Sequence, residues 1–211
     1  MSVIDEIREA IINGQVKVAA AKVQQGLDEG ISAETLLNDG LIAAMRTVGD
    51  LFEQGEVFVP EMLVAARGMT ASLAILKPHL VAEGVKPIAR VAIGTVKGDL
   101  HDIGKNLVAM MLEGSGFEIM DLGTDVAPEK FVEAVKNGAQ VIAMSALLTT
   151  TMKNMQVTVD TLKSAGLRDK VKIVIGGAPI TQDYADEIGA DGFATDASTA
   201  VHKVHELVDA S

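Results

Sequence analysis

The stretch Arg90-Val91-Ala92-Ile93-Gly94-Thr95-Val96-Lys97-Gly98-Asp99-Leu100-His101-Asp102-Ile103-Gly104 decides the fold class. It opens with a short β-branched run, Arg90–Gly94, passes through a loop of glycines and titratable groups, and enters a helical pattern over Ile103–Glu113. A strand feeding a helix in this way is the first half of a βαβ unit. The alternation continues downstream. Strand-like runs fall at Glu118–Asp121, Val141–Ser145, Lys172–Ile175 and, weakly, Gly192–Ala194. Helical stretches separate them at Pro128–Asn137, Met152–Ser164, Thr181–Ile188 and Ser198–Leu207. Five strands alternating with helices predict an α/β domain over residues 88–211, with a doubly wound, Rossmann-like (flavodoxin-like) parallel sheet.

Upstream the period changes. Residues 1–84 carry apolar stripes at helical spacing: Ile4, Ile7 and Ile11; Val16, Ala20, Val23 and Leu27; Leu37, Leu41, Met45, Val48 and Phe52; Met62, Ala66, Met69, Leu73 and Leu76. Ser2 with Asp5, and Ser32, supply start signals, while Asn13-Gly14 and Glu29-Gly30 supply stops. Four amphipathic helices joined by short turns predict a small antiparallel bundle. Val81–Pro87 breaks the period and is expected to be the linker.

Composition narrows the function. Lys and Arg total 18 against 29 Asp and Glu, a net charge of −11, which disfavours phosphate backbones and anionic membranes as partners. There is no cysteine, hence no disulfide framework, thiolate metal site or thiol nucleophile. With five Phe, one Tyr and no Trp, stacking platforms for single-stranded nucleic acid are also missing. No run reaches about 18 consecutive apolar residues, and charges crowd the first eleven positions, so neither a spanning helix nor a signal peptide is expected. A cytoplasmic location is the expectation.

Ligands of doubly wound sheets bind beyond the carboxyl ends of the strands, so the strand-to-helix loops carry the candidates. In the first loop, if the chain is extended, Asp99 and His101 point the same way. A carboxylate beside an imidazole can hold Nδ1–H and leave Nε2 free as a metal ligand or base. Equally, His101 could be an ordinary surface group near a helix N-terminus. A P-loop does not fit, because the spacing of Gly98 and Gly104 is one residue too long and Asn106 stands where Ser or Thr should bind magnesium. No GxGxxG follows the strand. The third loop, Ser145-Ala146-Leu147-Leu148-Thr149-Thr150-Thr151, has Ser145 where a receiver domain would carry its phospho-accepting Asp, and its hydroxyls suit a polar ligand or a helix cap. Gly176-Gly177 in the fourth loop permits close approach of a ligand.

Taken together, Asp99-x-His101-x-x-Gly104, Ser145-x-Leu147 and Gly176-Gly177 resemble the cobalamin-binding signature of methionine synthases, cobalamin-dependent mutases and methyltransferase corrinoid proteins. The resemblance implies a corrinoid bound with its own base detached, His101 ligating cobalt through Nε2, Asp99 bonded to its Nδ1, and Thr151 continuing the relay. Gly98, Asp102, Ile103 and Gly104 would complete the histidine loop, with Gly104 leaving room for the nucleotide tail. Ser145, Leu147 and Thr149 would line the slot for the detached base, with Gly176 and Gly177 beside the tail. The helical half, through Val48-Gly49-Asp50-Leu51-Phe52-Glu53-Gln54-Gly55-Glu56-Val57-Phe58-Val59-Pro60-Glu61-Met62, is similar to the helical cap of methionine synthase. By that similarity Phe52, Val59 and Met62 face the cobalt, although Phe52 and Met62 also lie on the bundle's apolar stripes.

A bundle and α/β pair of this kind is similar to the methyltransferase corrinoid proteins of methanogen or acetogen one-carbon metabolism. The implied function is methyl carriage on cobalamin (methylcobalamin, cob(I)alamin or a related corrinoid) between a substrate-specific methyltransferase and an acceptor methyltransferase acting on a folate or thiol. A reductive activator is a third implied partner, and Val81–Pro87 is the implied hinge. The alternatives are a mutase subunit, a cobalamin sensor without methyl transfer, and a module with no cofactor. His202 and His205 lie one turn apart without an evident third ligand, His79 suits a helix C-terminus, and Met110, Met111, Met144, Met152 and Met155 read as core.

Overall fold

The protein is described here by a computed structural model covering residues 1–210. It divides into two compact units, one of Met1–Pro87 with Glu113–Gly116 and one of Ile88–Leu112 with the described residues from Phe117 onward.

The first unit is helical. Helix α1 (Val3–Ile12) starts as its capping box dictates: Ser2 Oγ accepts the Asp5 N–H at 3.1 Å, and the Asp5 carboxylate accepts the Ser2 N–H at 3.1 Å. Helix α2 (Val16–Asp28) follows. Next, α3 (Ala33–Thr35), capped by Ser32, runs into a π-helical stretch (Leu36–Ile42) and then α4 (Ala43–Glu53) without a break. The wider π turn shifts the phase of the apolar stripe. Leu36 is therefore buried where the helical period placed Leu37, and the stripe then resumes through Leu41, Met45 and Val48. In α2 the buried positions are Ala19, Val23 and Gly26, a turn of the face toward the bare glycine. A Cβ at Gly26 would lie 2.6 Å from Leu36 Cδ2, so the missing side chain is what admits Leu36.

Helix α5 (Val59–Glu83) is longer than the stripe from Met62 to Leu76 indicated. It passes through Pro78 and ends where Gly84 adopts φ 73°. The expected linker therefore loses Val81–Glu83 to helix and begins at Gly84. α5 is long and apolar enough to cross a membrane by length and composition alone. Its buried row of Met62, Ala65, Ala66, Met69, Ser72, Leu76 and Leu80 marks it as a core helix.

The second unit is the doubly wound domain. Strands β1 (Arg90–Val96), β2 (Glu118–Val126), β3 (Val141–Ser145), β4 (Lys172–Gly176) and β5 (Gly192–Ala194) form one sheet in the order β2-β1-β3-β4-β5, all neighbours parallel. Between them lie α6 (Ile103–Gly114), α7 (Pro128–Lys136), α8 (Thr149–Ser164) and α9 (Gln182–Ile188), with α10 (Ala197–Asp209) at the end. Side chains alternate across the strands. Ala92, Ile142, Ile173 and Ile175 join Phe131 of α7, Met155, Val159 and Leu162 of α8, and Ala185 and Ile188 of α9 in one core. Helix α10 packs on β4 and β5.

Three strands outrun their sequence limits, β4 by Gly176 alone. β1 continues to Val96 and β2 to Val126, past polar Thr95 and Thr124, which interrupt the apolar run without ending the strands. The register then sets Thr95 opposite Ser145, Ser145 opposite Gly176, and Gly176 opposite Ala194. These four residues form one row at the carboxyl edge. The strand order reverses between β1 and β3, which is where a sheet of this type opens a crevice.

Candidate functional site

The loops leaving β1 and β3 flank that crevice, and Asp99 ties them together. It is fully buried. Oδ1 accepts the backbone N–H of His101 at 3.1 Å and lies 2.7 Å from His101 Nδ1. Oδ2 accepts the N–H groups of Leu147 at 2.8 Å and Leu148 at 3.3 Å, and lies 2.7 Å from Thr151 Oγ1. The loop is not the extended segment expected from the sequence. Gly98 turns it at φ 81°, and Asp99 folds its carboxylate back over the His101 N–H, an Asx-type turn that brings carboxylate and ring together.

Burial acts to raise the Asp99 pKa, but the hydrogen bonds from Thr151, His101 and Leu147 outweigh it and hold the carboxyl well below the usual carboxylate range. An ionised carboxylate only accepts hydrogen bonds, so Nδ1 is the ring nitrogen that donates to it, and in the neutral imidazole Nε2 is the one with a free lone pair. The ring itself is not enclosed, its side chain being 52% exposed. A buried anion thus orients a half-open imidazole through Nδ1.

Several backbone contacts hold the loop. Thr95, fully buried at the end of β1, donates its hydroxyl to His101 O at 2.8 Å. Asn154 of α8 donates to Lys97 O at 2.6 Å. Asp125 at the end of β2 accepts the Gly98 N–H at 2.7 Å, a contact that lowers its own pKa, while its N–H donates to Asp99 O at 2.9 Å. None of these three was singled out from sequence, since Asn154 and Asp125 act from another helix or strand and Thr95 reads as an ordinary strand residue. Lys105 is only 3% exposed and reaches Asp121 of β2 at 2.6 Å.

Around the ring, Leu100, Leu147 and Leu148 are exposed, and Ile103, first residue of α6, is 79% exposed. Asp102 accepts the Asn106 side-chain amide at 3.1 Å. A Cβ at Gly104 would meet nothing within 4 Å. Ser145 is half-buried at the end of β3, and Thr149 is exposed at the start of α8.

The two glycines after β4 have an internal reason. A Cβ on Gly176 would lie 2.9 Å from Ala194 O, and one on Gly177, where φ is 133°, would lie 1.9 Å from Ala146 O. Close backbone packing by itself requires both glycines.

Phe52, Val59 and Met62 belong to the helical unit. Met62 is fully buried, Phe52 half-buried and Val59 exposed. Phe58, not singled out from sequence, is 63% exposed beside Val59.

Comparison with known proteins identifies the family. A family model described as a B12 binding domain matches residues 89–202, and a second model of that description matches residues 3–77. A corrinoid protein of Desulfitobacterium hafniense (strain Y51) is 39% identical, covering 99% of this chain and 98% of the relative. The trimethylamine corrinoid protein of Methanosarcina barkeri is 44% identical, covering 96% of this chain and 94% of the relative. The crystal structure of the methanol:cobalamin methyltransferase complex MtaBC from Methanosarcina barkeri matches with a TM-score of 0.88 at 27% identity, covering 99% of this chain and 80% of that one. A cobalamin-binding protein from Desulfitobacterium hafniense matches with a TM-score of 0.79 at 32% identity, covering 96% of this chain and 97% of that one. The chain belongs to the methyltransferase corrinoid proteins built from B12-binding domains, and its cofactor is a corrinoid.

Proposed function

We propose that this protein is a cytoplasmic methyl carrier, holding its corrinoid through His101 and passing a methyl group from a substrate-specific methyltransferase to an acceptor methyltransferase. The observation that carries the proposal is the 2.7 Å contact between Asp99 and His101 Nδ1, which leaves Nε2 as the donor.

The residues fit the cofactor. Among the described residues no group of three or more His, Cys, Asp or Glu side chains gathers to hold a bare metal ion. One imidazole suits a metal that a macrocycle would already hold. The exposed Leu100, Ile103, Leu147 and Leu148 offer apolar contact to a large ring, and the open space beyond Gly104 suits its nucleotide tail. Ser145 and Thr149 supply hydroxyls for the detached base. Gly98 sets the turn of the histidine loop, with Asp102 and Ile103 leading into α6. Phe52, Val59 and Phe58 are proposed as apolar contacts for the cofactor, whereas Met62, fully buried, is not free to be one.

When bound, the cobalt corrin supplies the nucleophilic and methyl-carrying chemistry. The chain's own part is to orient one nitrogen, hold its proton on the other side of the ring, and vary how firmly that nitrogen is offered. Thr151 steadies the charge on Asp99, and Asp99 sets the imidazole's tautomer. Gly84–Pro87 is proposed as the hinge that lets two enzymes reach the same site in turn. A reductive activator completes the system.

The test is anaerobic reconstitution of the apo-protein with cobalamin, followed by incubation with an isotope-labelled methyl donor and a corrinoid methyltransferase. The label should co-elute with the parent protein and transfer to a thiol or folate when an acceptor methyltransferase is added. A reconstituted protein that never acquires label from methylamines, methanol, betaines or aryl methyl ethers would be a cobalamin-binding protein of another kind.

A further inference from the structure

The end of β2 is built irregularly, and the irregularity points at the histidine loop. Ile93 pairs with Asp121, Gly94 with Gly123, and Val96 with Val126, so β2 carries one extra residue at each of two successive steps. Such bulges re-aim side chains. The first is supported by Asp121, whose Oδ1 accepts both the Gly123 N–H at 2.9 Å and the ammonium of buried Lys105 at 2.6 Å. The second leaves Asp125 at φ 52°, the one non-glycine residue with positive φ among the described residues. A side chain makes that conformation unfavourable, so surrounding contacts must hold it.

Those contacts are with the loop. Asp125 Oδ1 accepts the Gly98 N–H at 2.7 Å and lies 3.3 Å from Lys97 Nζ, while the Asp125 N–H donates to Asp99 O at 2.9 Å. One residue thus grips the chain on both sides of the Gly98–Asp99 peptide. Its hydrogen bonds stop there and do not reach the imidazole. The ring's orientation comes from Asp99, whose side chain can aim only as well as its own backbone is fixed.

We infer that Asp125 is a positioning residue for His101, acting through Gly98 and Asp99, and that the two bulges of β2 deliver it. The inference rests on the reading of His101 as the axial donor. A loop without this grip would let Asp99 pivot, and the imidazole would sample orientations in which Nε2 misses the metal.

Three substitutions separate the parts of this device. Asp125→Asn keeps an acceptor oxygen and tolerates positive φ. Asp125→Gly keeps the backbone conformation and its N–H bond to Asp99 O but removes the carboxylate that holds Gly98, and carries the test should Asp125→Ala, which also loses the positive-φ tolerance, fail to fold. Amide hydrogen exchange at Gly98 is read in the apo-protein. The splitting that an axial nitrogen imposes on the cobalt(II) paramagnetic resonance lines is read after reconstitution with cobalamin. In Asp125→Gly, Gly98 exchange should rise about tenfold, as loss of one charge-assisted hydrogen bond implies. The spectrum should become a mixture with and without nitrogen splitting, and Asp125→Asn should restore parental behaviour on both. Parental splitting in Asp125→Gly, whether or not Gly98 exchange rises, would overturn the positioning role. Nitrogen-15 histidine labelling is the control. If the parent's splitting ignores the label, the axial-donor reading fails, whereas a label-sensitive parent beside full label-sensitive splitting in Asp125→Gly rejects only the present inference.

Discussion

Oδ1 of Asp99 serves His101 twice, accepting its backbone N–H at 3.1 Å and facing its ring Nδ1 at 2.7 Å. The other carboxylate oxygen belongs to the β3–α8 loop and α8, through Leu147, Leu148 and Thr151. A single buried carboxylate therefore joins two strand-to-helix loops and orients the imidazole. Asp99→Asn would turn an NH2 toward donors that now meet an anion. The apo-protein should lose about 3 kcal/mol in urea denaturation, the range for burying polar groups without partners. A parental midpoint would show that the carboxylate is not what joins the loops.

Thr151 isolates one contact of that set. Thr151→Val keeps the shape but removes the hydroxyl 2.7 Å from Asp99 Oδ2. The expected loss is about 1.5–3 kcal/mol, the usual worth of a hydrogen bond to a charged group. Thr151→Ser should recover most of it, measured by the same denaturation at neutral pH.

The pH dependence has a defined sign. The folded pKa of Asp99 is depressed below the unfolded value of about 3.9. Its contribution is therefore present above the unfolded value and lost as pH falls through the folded one. The stability gap between the parent and Asp99→Asn should be constant above about pH 5 and shrink steadily below about pH 4. A gap still undiminished near pH 2 would contradict the depressed pKa.

Two glycines should separate folding from binding. Gly104→Ala meets no neighbour within 4 Å and lies in a helix, so the apo-protein should keep or gain stability, by up to about 1 kcal/mol. Its affinity for cobalamin, followed by absorption titration, should fall. Gly177→Ala places a Cβ 1.9 Å from Ala146 O at φ 133°, and should cost the apo-protein about 3 kcal/mol or more before any cofactor is added.

What could be read in the sequence was periodic or local. Helical stripes and β-branched runs identify the bundle and the order of strands and helices, because burial on one face imposes its period on the chain. Ser2 and Asp5 form their capping box because the spacing is three residues. Asp99 and His101 were legible as a pair for a similar reason, although an Asx-type turn rather than a strand brings them together. Other features depend on contacts with no sequence period. Leu36 replaces Leu37 because a π turn shifts the phase, and Gly26 is buried because Leu36 needs its space. Gly176 and Gly177 make room for Ala194 and Ala146 backbone carbonyls, which a Gly-Gly pair does not announce. Asp125 reaches Gly98 from a neighbouring strand after two bulges, so its place on the histidine loop follows from register alone.

The identity of the lower axial donor is best tested by growing the protein with nitrogen-15 histidine, reconstituting it with cobalamin and recording the cobalt(II) paramagnetic resonance spectrum. Axial coordination by His101 predicts that the nitrogen splitting changes to the pattern of the labelled nucleus, and that this label-dependent pattern vanishes in His101→Ala. Splitting in the parent that ignores the label would mean that the cofactor keeps its own base and that this imidazole is not its ligand.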